Sequence, residues 1–98
     1  MYVVVQHQIR ETETAFARGA RLQVGEGAPE GGRVLQFLPA TDSSRVTCLW
    51  EAASVESIQQ YVDDVLGASS INICYEVNAE PAFAERPLGL ATTAMALR

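Results

Sequence analysis

Residues 45–58, Arg45-Val46-Thr47-Cys48-Leu49-Trp50-Glu51-Ala52-Ala53-Ser54-Val55-Glu56-Ser57-Ile58, decide the fold. The first half is a short apolar run rich in residues that favour strands. Ser54 then offers a hydroxyl where a helix needs a cap. Glu56 puts a carboxylate in the first turn, beside the positive end of the helix. The stretch therefore reads as a buried strand that stops at a cap and turns into an amphipathic helix. In that helix Val55, Ile58, Val62, Val65 and Leu66 fall on one stripe, with Tyr61 at its edge. Gln59, Gln60, Asp63 and Asp64 point outward, and Gly67 suits the left-handed residue that ends a helix.

Working outward, residues 40–44 (Ala-Thr-Asp-Ser-Ser) are turn chemistry, and Arg33 to Pro39 before them is a second strand. A turn that short makes the two strands an antiparallel hairpin. Leu35 and Phe37 share one face of the earlier strand; Val34, Gln36 and Leu38 share the other. Residues 25–32 hold four glycines and a proline, a flexible connector. It lacks the Gly-Lys-Ser/Thr ending of a phosphate loop and carries two carboxylates that would repel phosphate. Residues 11–24 read as a helix capped by Thr12 or Thr14. Its apolar stripe is weak: Phe16, Ala20 and Gln23, or Gly19 and Leu22.

Tyr2 to Ile9 is the first strand, with Val3, Val5 and His7 on one face and Tyr2, Val4, Gln6 and Gln8 on the other. Residues 71–77 are the fourth, with Ile71, Ile73, Tyr75 and Val77 opposite Asn72, Cys74 and Glu76. Pro81 and Pro87 end regular structure. Residues 1–80 form the domain and residues 81–98 a C-terminal tail, apolar from Gly89 onward, that is either a frayed end or an arm for a partner.

The order strand, helix, strand, strand, helix, strand is the α+β ferredoxin-like βαββαβ arrangement. It predicts a four-stranded antiparallel sheet with strands one and three central and both helices on one face. The helix-covered face is expected to carry Val3, Val5, His7, Leu35, Phe37, Val46, Cys48, Trp50, Ile71, Ile73, Tyr75 and Val77. The open face then holds a mixture too apolar for water and too polar for a dry core, with Glu51 and Glu76 beside Gln6 and Gln8. Such a face predicts a two-fold homodimer packed sheet on sheet. Carboxylates buried there would have raised pKa values.

Composition narrows the function classes. The chain has 98 residues, 48% of them hydrophobic and 19% charged, and a net charge of −5. It is one small domain with apolar surface to hide on a partner. The basic residues are seven scattered arginines, with no clustered face for nucleic acid or an anionic membrane. No window nears the ~20 apolar residues of a membrane span. Met1-Tyr2-Val3 is no basic leader, so a cytoplasmic protein is expected. Cys48 and Cys74 each lie in an apolar run, as buried thiols do, and their spacing is neither that of zinc ligands nor that of a disulfide scaffold.

With Cys48-Leu49-Trp50-Glu51-Ala52-Ala53-Ser54-Val55-Glu56-Ser57-Ile58 at the strand-to-helix junction, this layout resembles the dimeric α/β-barrel superfamily. Within it the chain is most similar to small, mostly uncharacterised ferredoxin-like proteins that include a nickel-binding member. The resemblance spans roughly residues 1–80 and implies fold more than function, because the superfamily contains monooxygenases, haem-degrading enzymes, lactone isomerases and plain binding proteins. It implies a ligand cleft between sheet and helices, with a polar residue on strand one and a Trp at the end of strand three. His7 and Trp50 match those positions.

The candidate ligand-binding residues are therefore His7, Cys48, Trp50, Tyr61 and Tyr75, and the expected ligand is a small apolar or aromatic molecule. No cofactor and no metal is expected. The haem-binding members need a His on the second helix, and this chain has one His in all. The nickel-type histidines are missing as well. No Ser stands in a Gly-x-Ser-x-Gly elbow, and nothing marks Cys48 as activated by His7. The expected function is a small-molecule-binding or structural dimer; the alternative is a cofactor-independent monooxygenase- or isomerase-like enzyme using the same cleft.

Overall fold

A computed structural model describes residues 1–85. The apolar tail expected from Gly89 to Arg98 lies outside the described residues. In chain order the elements are β1 (Tyr2–Ile9), α1 (Thr12–Val24), β2 (Arg33–Pro39), β3 (Arg45–Glu51), α2 (Val55–Leu66), a 3-10 turn (Gly67–Ser69) and β4 (Ser70–Glu76). The strands form one antiparallel sheet in the order β2-β3-β1-β4. This is the ferredoxin-like α+β arrangement, with β1 and β3 at the centre.

The α2 start follows its sequence. The Ser54 hydroxyl accepts from the Ser57 backbone N–H at 3.1 Å, satisfying a donor the helix itself cannot. Ile58, Tyr61, Val62, Val65 and Leu66 are buried on its inner stripe. The α1 start differs from expectation. Neither Thr12 nor Thr14 caps it; Glu11 precedes the helix without a side-chain cap. The chain is held there by the Ser69 carbonyl, which accepts from the backbone N–H of Arg10 at 2.8 Å and of Glu11 at 3.1 Å. Gly25, at φ 71°, closes α1 in the left-handed conformation, with Glu26 N–H bonded to Arg21 O and Gly25 N–H to Leu22 O. Gly67 ends α2 at φ 56° and ψ −142°, which is not the left-handed helical conformation expected for it but one that glycine alone adopts readily.

Alternation places Val3, Val5 and His7 of β1 and Val46, Cys48 and Trp50 of β3 under the helices, all buried. Two strands depart from expectation. In β4 the faces are exchanged. Ser70 and Asn72 are buried and Cys74 half-buried, while Ile71, Ile73 and Tyr75 are 44%, 62% and 48% exposed on the open face. Since β-strand side chains alternate strictly, a shift of one position moves every residue of the strand. Glu76 thereby aligns with buried Val3, away from Glu51, which lies opposite Tyr2. Glu76, expected on the open face with Glu51 beside Gln6 and Gln8, is therefore absent from it. In β2 the register slips between Val34 and Gln36, with Val34 opposite Trp50 and Gln36 opposite Leu49. Leu35 is the extra residue of a bulge, so Val34 joins Phe37 under α1 in place of Leu35.

Candidate ligand cleft

The space between α1 and the sheet is a narrow cleft. Its floor is β1, β3 and β2, through His7, Val46, Cys48, Trp50, Val34 and Phe37. Its roof is one side of α1, where Ala15 and Gly19 present little bulk between Phe16, Leu22 and Gln23, and Leu66 of α2 closes the inner side. Phe16 and Phe37 meet edge to face at 6.4 Å across the outer side. The free volume is about 40 Å³. That is room for a water or two and far below the several hundred cubic ångströms of a drug-sized site. A larger guest therefore needs α1 to give way.

Trp50 is fully buried and stands edge to face on Tyr61 at 5.9 Å. Its indole N–H is the one buried side-chain polar atom without a hydrogen-bond partner among the described residues. Tyr61 does not line the cleft. Its ring backs Trp50 and its hydroxyl donates to the Glu26 carbonyl at 2.6 Å, tying the Gly-rich loop to α2. Burial pushes the Tyr61 hydroxyl pKa up, against the Arg21 charge. Cys48 lines the cleft as a thiol, its pKa pushed up to about 12 by burial, and no hydrogen bond joins it to His7. A thiolate nucleophile is thereby disfavoured. Tyr75 is on the wrong side: it pairs with Val4 on the open face and cannot reach the cleft.

At the β4 side of the floor His7 belongs to a polar cluster. It is 5% exposed, and its Nδ1 lies 2.6 Å from Asn72 Oδ1. The Ser70 hydroxyl donates to the same oxygen at 2.7 Å, and Asn72 Nδ2 donates to Asp63 Oδ1 at 2.9 Å. Gln59 adds its Nε2 to both oxygens of Asp63. Burial lowers the His7 pKa below its usual value, against the Asn72 hydrogen bond and the Asp63 charge. The ring is thus held neutral near pH 7. Sequence reasoning missed Asn72, Ser70, Gln59 and Asp63. The available signal was Gln59 and Asp63 four residues apart, hence on one helical face, beside the apolar stripe of α2.

Among the described residues no three His, Cys, Asp or Glu side chains come together as metal ligands would. Nor is any helix there long and apolar enough to cross a membrane.

The open face of the sheet is the second feature. Tyr2, Leu38, Ile71, Ile73 and Tyr75 are exposed on it, around half-buried Val4 and Leu49, with Gln6, Gln8 and Glu51 between and around them.

No family model matches the chain, and no curated protein matches it in sequence. One solved structure similar to it is that of SCO4226 from Streptomyces coelicolor A3(2), with a TM-score of 0.59 and 19% identity. The match covers 86% of this chain and 100% of that one. At this identity the likeness shows a shared small α+β fold and nothing of chemistry.

Proposed function

We propose that the protein is a homodimer that binds a small apolar or aromatic molecule between α1 and the sheet. The observation that carries this reading is the Trp50 indole N–H, buried in the lining of an apolar cleft with no partner. A buried donor left unmet costs about 1–3 kcal/mol, and a guest with an acceptor relieves that cost. Trp50 is the only Trp of the chain, so its emission reports on the cleft alone. Titration with small neutral aromatic molecules should shift that emission saturably. A Gly19→Leu variant, which puts bulk into the roof, should abolish the response. A Trp50 signal indifferent to every probe would remove the cleft as a ligand site.

The dimer is supported by the exposed Ile71, Ile73 and Tyr75 beside Tyr2 and Leu38, a patch that a second copy's sheet would cover. Both cysteines are free, which fits a reducing, cytoplasmic setting. The second reading, a cofactor-independent monooxygenase- or isomerase-like enzyme in the same cleft, is favoured by one observation: His7, an imidazole whose pKa burial lowers, lines the cleft floor. Turnover of a bound molecule without added cofactor, lost in His7→Ala, separates it from plain binding.

A further inference from the structure

We infer that Asp63 and Asn72 hold His7 in the tautomer protonated at Nδ1, so that Nε2 offers a lone pair to the cleft and selects uncharged ligands carrying an O–H or N–H donor. This rests on the cleft being the ligand site proposed above and names the class of molecule it takes.

The Asp63 carboxylate can only accept hydrogen bonds, so the Asn72 amide must turn its Nδ2 toward it, at 2.9 Å. Asn72 Oδ1 then points the other way, to the Ser70 hydroxyl at 2.7 Å and His7 Nδ1 at 2.6 Å. A carbonyl oxygen has no proton to give, so His7 Nδ1 carries it. A neutral imidazole has one N–H, and Nε2 is left as an acceptor. Nε2 has no hydrogen-bond partner among the described residues and is not a fully enclosed atom, and His7 is one of the residues that line the cleft.

The rest of the lining sets the charge preference. Among the described residues it holds no Arg, Asp or Glu, and its other titratable group is the Cys48 thiol. A carboxylate entering this space would lose its water and meet no cation there; the neutral Trp50 indole and Gln23 amide donors replace little of that hydration, and the His7 lone pair repels it. A hydroxyl or N–H would meet an oriented acceptor. Asn72 and Asp63 are positioning residues in this scheme: they touch no ligand and act through the His7 ring.

His7 is the only His, so long-range proton–nitrogen NMR of the labelled protein shows one imidazole. Near pH 7.5 the spectrum should show Nδ1 protonated and Nε2 bare. Asn72→Leu and Asp63→Asn should each move it toward a mixture of tautomers. A wild-type ring protonated at Nε2 would overturn the inference, as would variants that leave the tautomer unchanged.

Phenol, anisole and benzoate share one ring and differ in the polar group. Followed by the shifts of His7 Nε2 and the Trp50 indole, phenol should bind about tenfold more tightly than anisole, the worth of one hydrogen bond. Benzoate should not bind. Equal binding of phenol and anisole, or a preference for benzoate, would overturn the donor rule while leaving the cleft as a binding site. If none of the three binds, the cleft reading and this inference fall together.

Discussion

Gln59 of α2 and Cys74 of β4 are joined as two strand residues would be. The Cys74 backbone N–H donates to Gln59 Oε1 at 3.2 Å, and Gln59 Nε2 donates to the Asn72 carbonyl at 2.8 Å. Both backbone groups lie on the outer edge of β4, the last strand on that side of the sheet among the described residues. One side-chain amide thus takes the place of a fifth strand and blunts an edge that could otherwise pair with another chain.

Gln59→Ala should therefore destabilise the protein by about 1–2 kcal/mol, since it leaves two half-buried backbone groups and the Asp63–Asn72 contact less well met. Urea denaturation would measure the loss. Hydrogen exchange should show the Cys74 amide exchanging much faster in the variant; an unchanged rate would mean the pairing contributes nothing.

Stability should fall in mild acid through His7. Its folded-state pKa is lowered from the 6.5 of a free side chain, chiefly by burial, while the Asp63 charge opposes the shift. The unfolded chain then binds more protons than the folded one below about pH 6.5, so folding weakens as pH falls through that value toward the folded pKa. The urea midpoint should drop between pH 7.5 and pH 5, and His7→Leu should flatten that part of the profile.

Gly19→Ala should stabilise the protein. Gly19 sits inside α1, where glycine costs roughly 0.5–1 kcal/mol relative to alanine. The added Cβ would meet Leu66 Cδ2 at 3.9 Å, an ordinary contact. A rise of a few degrees in thermal midpoint is the expected readout. A fall would show that the narrow roof of the cleft cannot take even a methyl group.

Sedimentation at micromolar concentration should show a dimer, and Ile73→Glu should turn it into a folded monomer. Ile73 is 62% exposed in the single chain, so a charge there costs the isolated fold little. It lies within the apolar patch of the open face, where a second copy would bury the carboxylate unpaired. A wild-type monomer would sink the sheet-to-sheet assembly.

The parts of the fold that were legible in the sequence depend on local signals. Ser54, Gly67 and the stripe from Val55 to Leu66 specify α2, and period-two burial in β1 and β3 brings His7, Cys48 and Trp50 to one cleft. What was not legible depends on residues distant in sequence. By apolarity alone Ile71, Ile73 and Tyr75 outrank Asn72 and Cys74 for the covered face. The reverse occurs because Asp63 and Gln59 of α2 meet the polar groups of Asn72, and because the open face keeps the apolar set. That reversal hid the partners of His7 and misplaced Tyr75. The bulge at Leu35 carries no glycine or other local mark, so the inward position of Val34 could not be read either.

The first helix is fastened mainly to its sister helix. Its start hangs on the Ser69 carbonyl, Arg18 reaches the Leu66 carbonyl at 3.5 Å, and the loop beyond its end is pinned by the Tyr61 hydroxyl. Against the outer strand it is joined chiefly by the Phe16–Phe37 ring contact. The cleft thus has the build of a book: its spine runs along the second helix, and its page edge lies at the two phenylalanines.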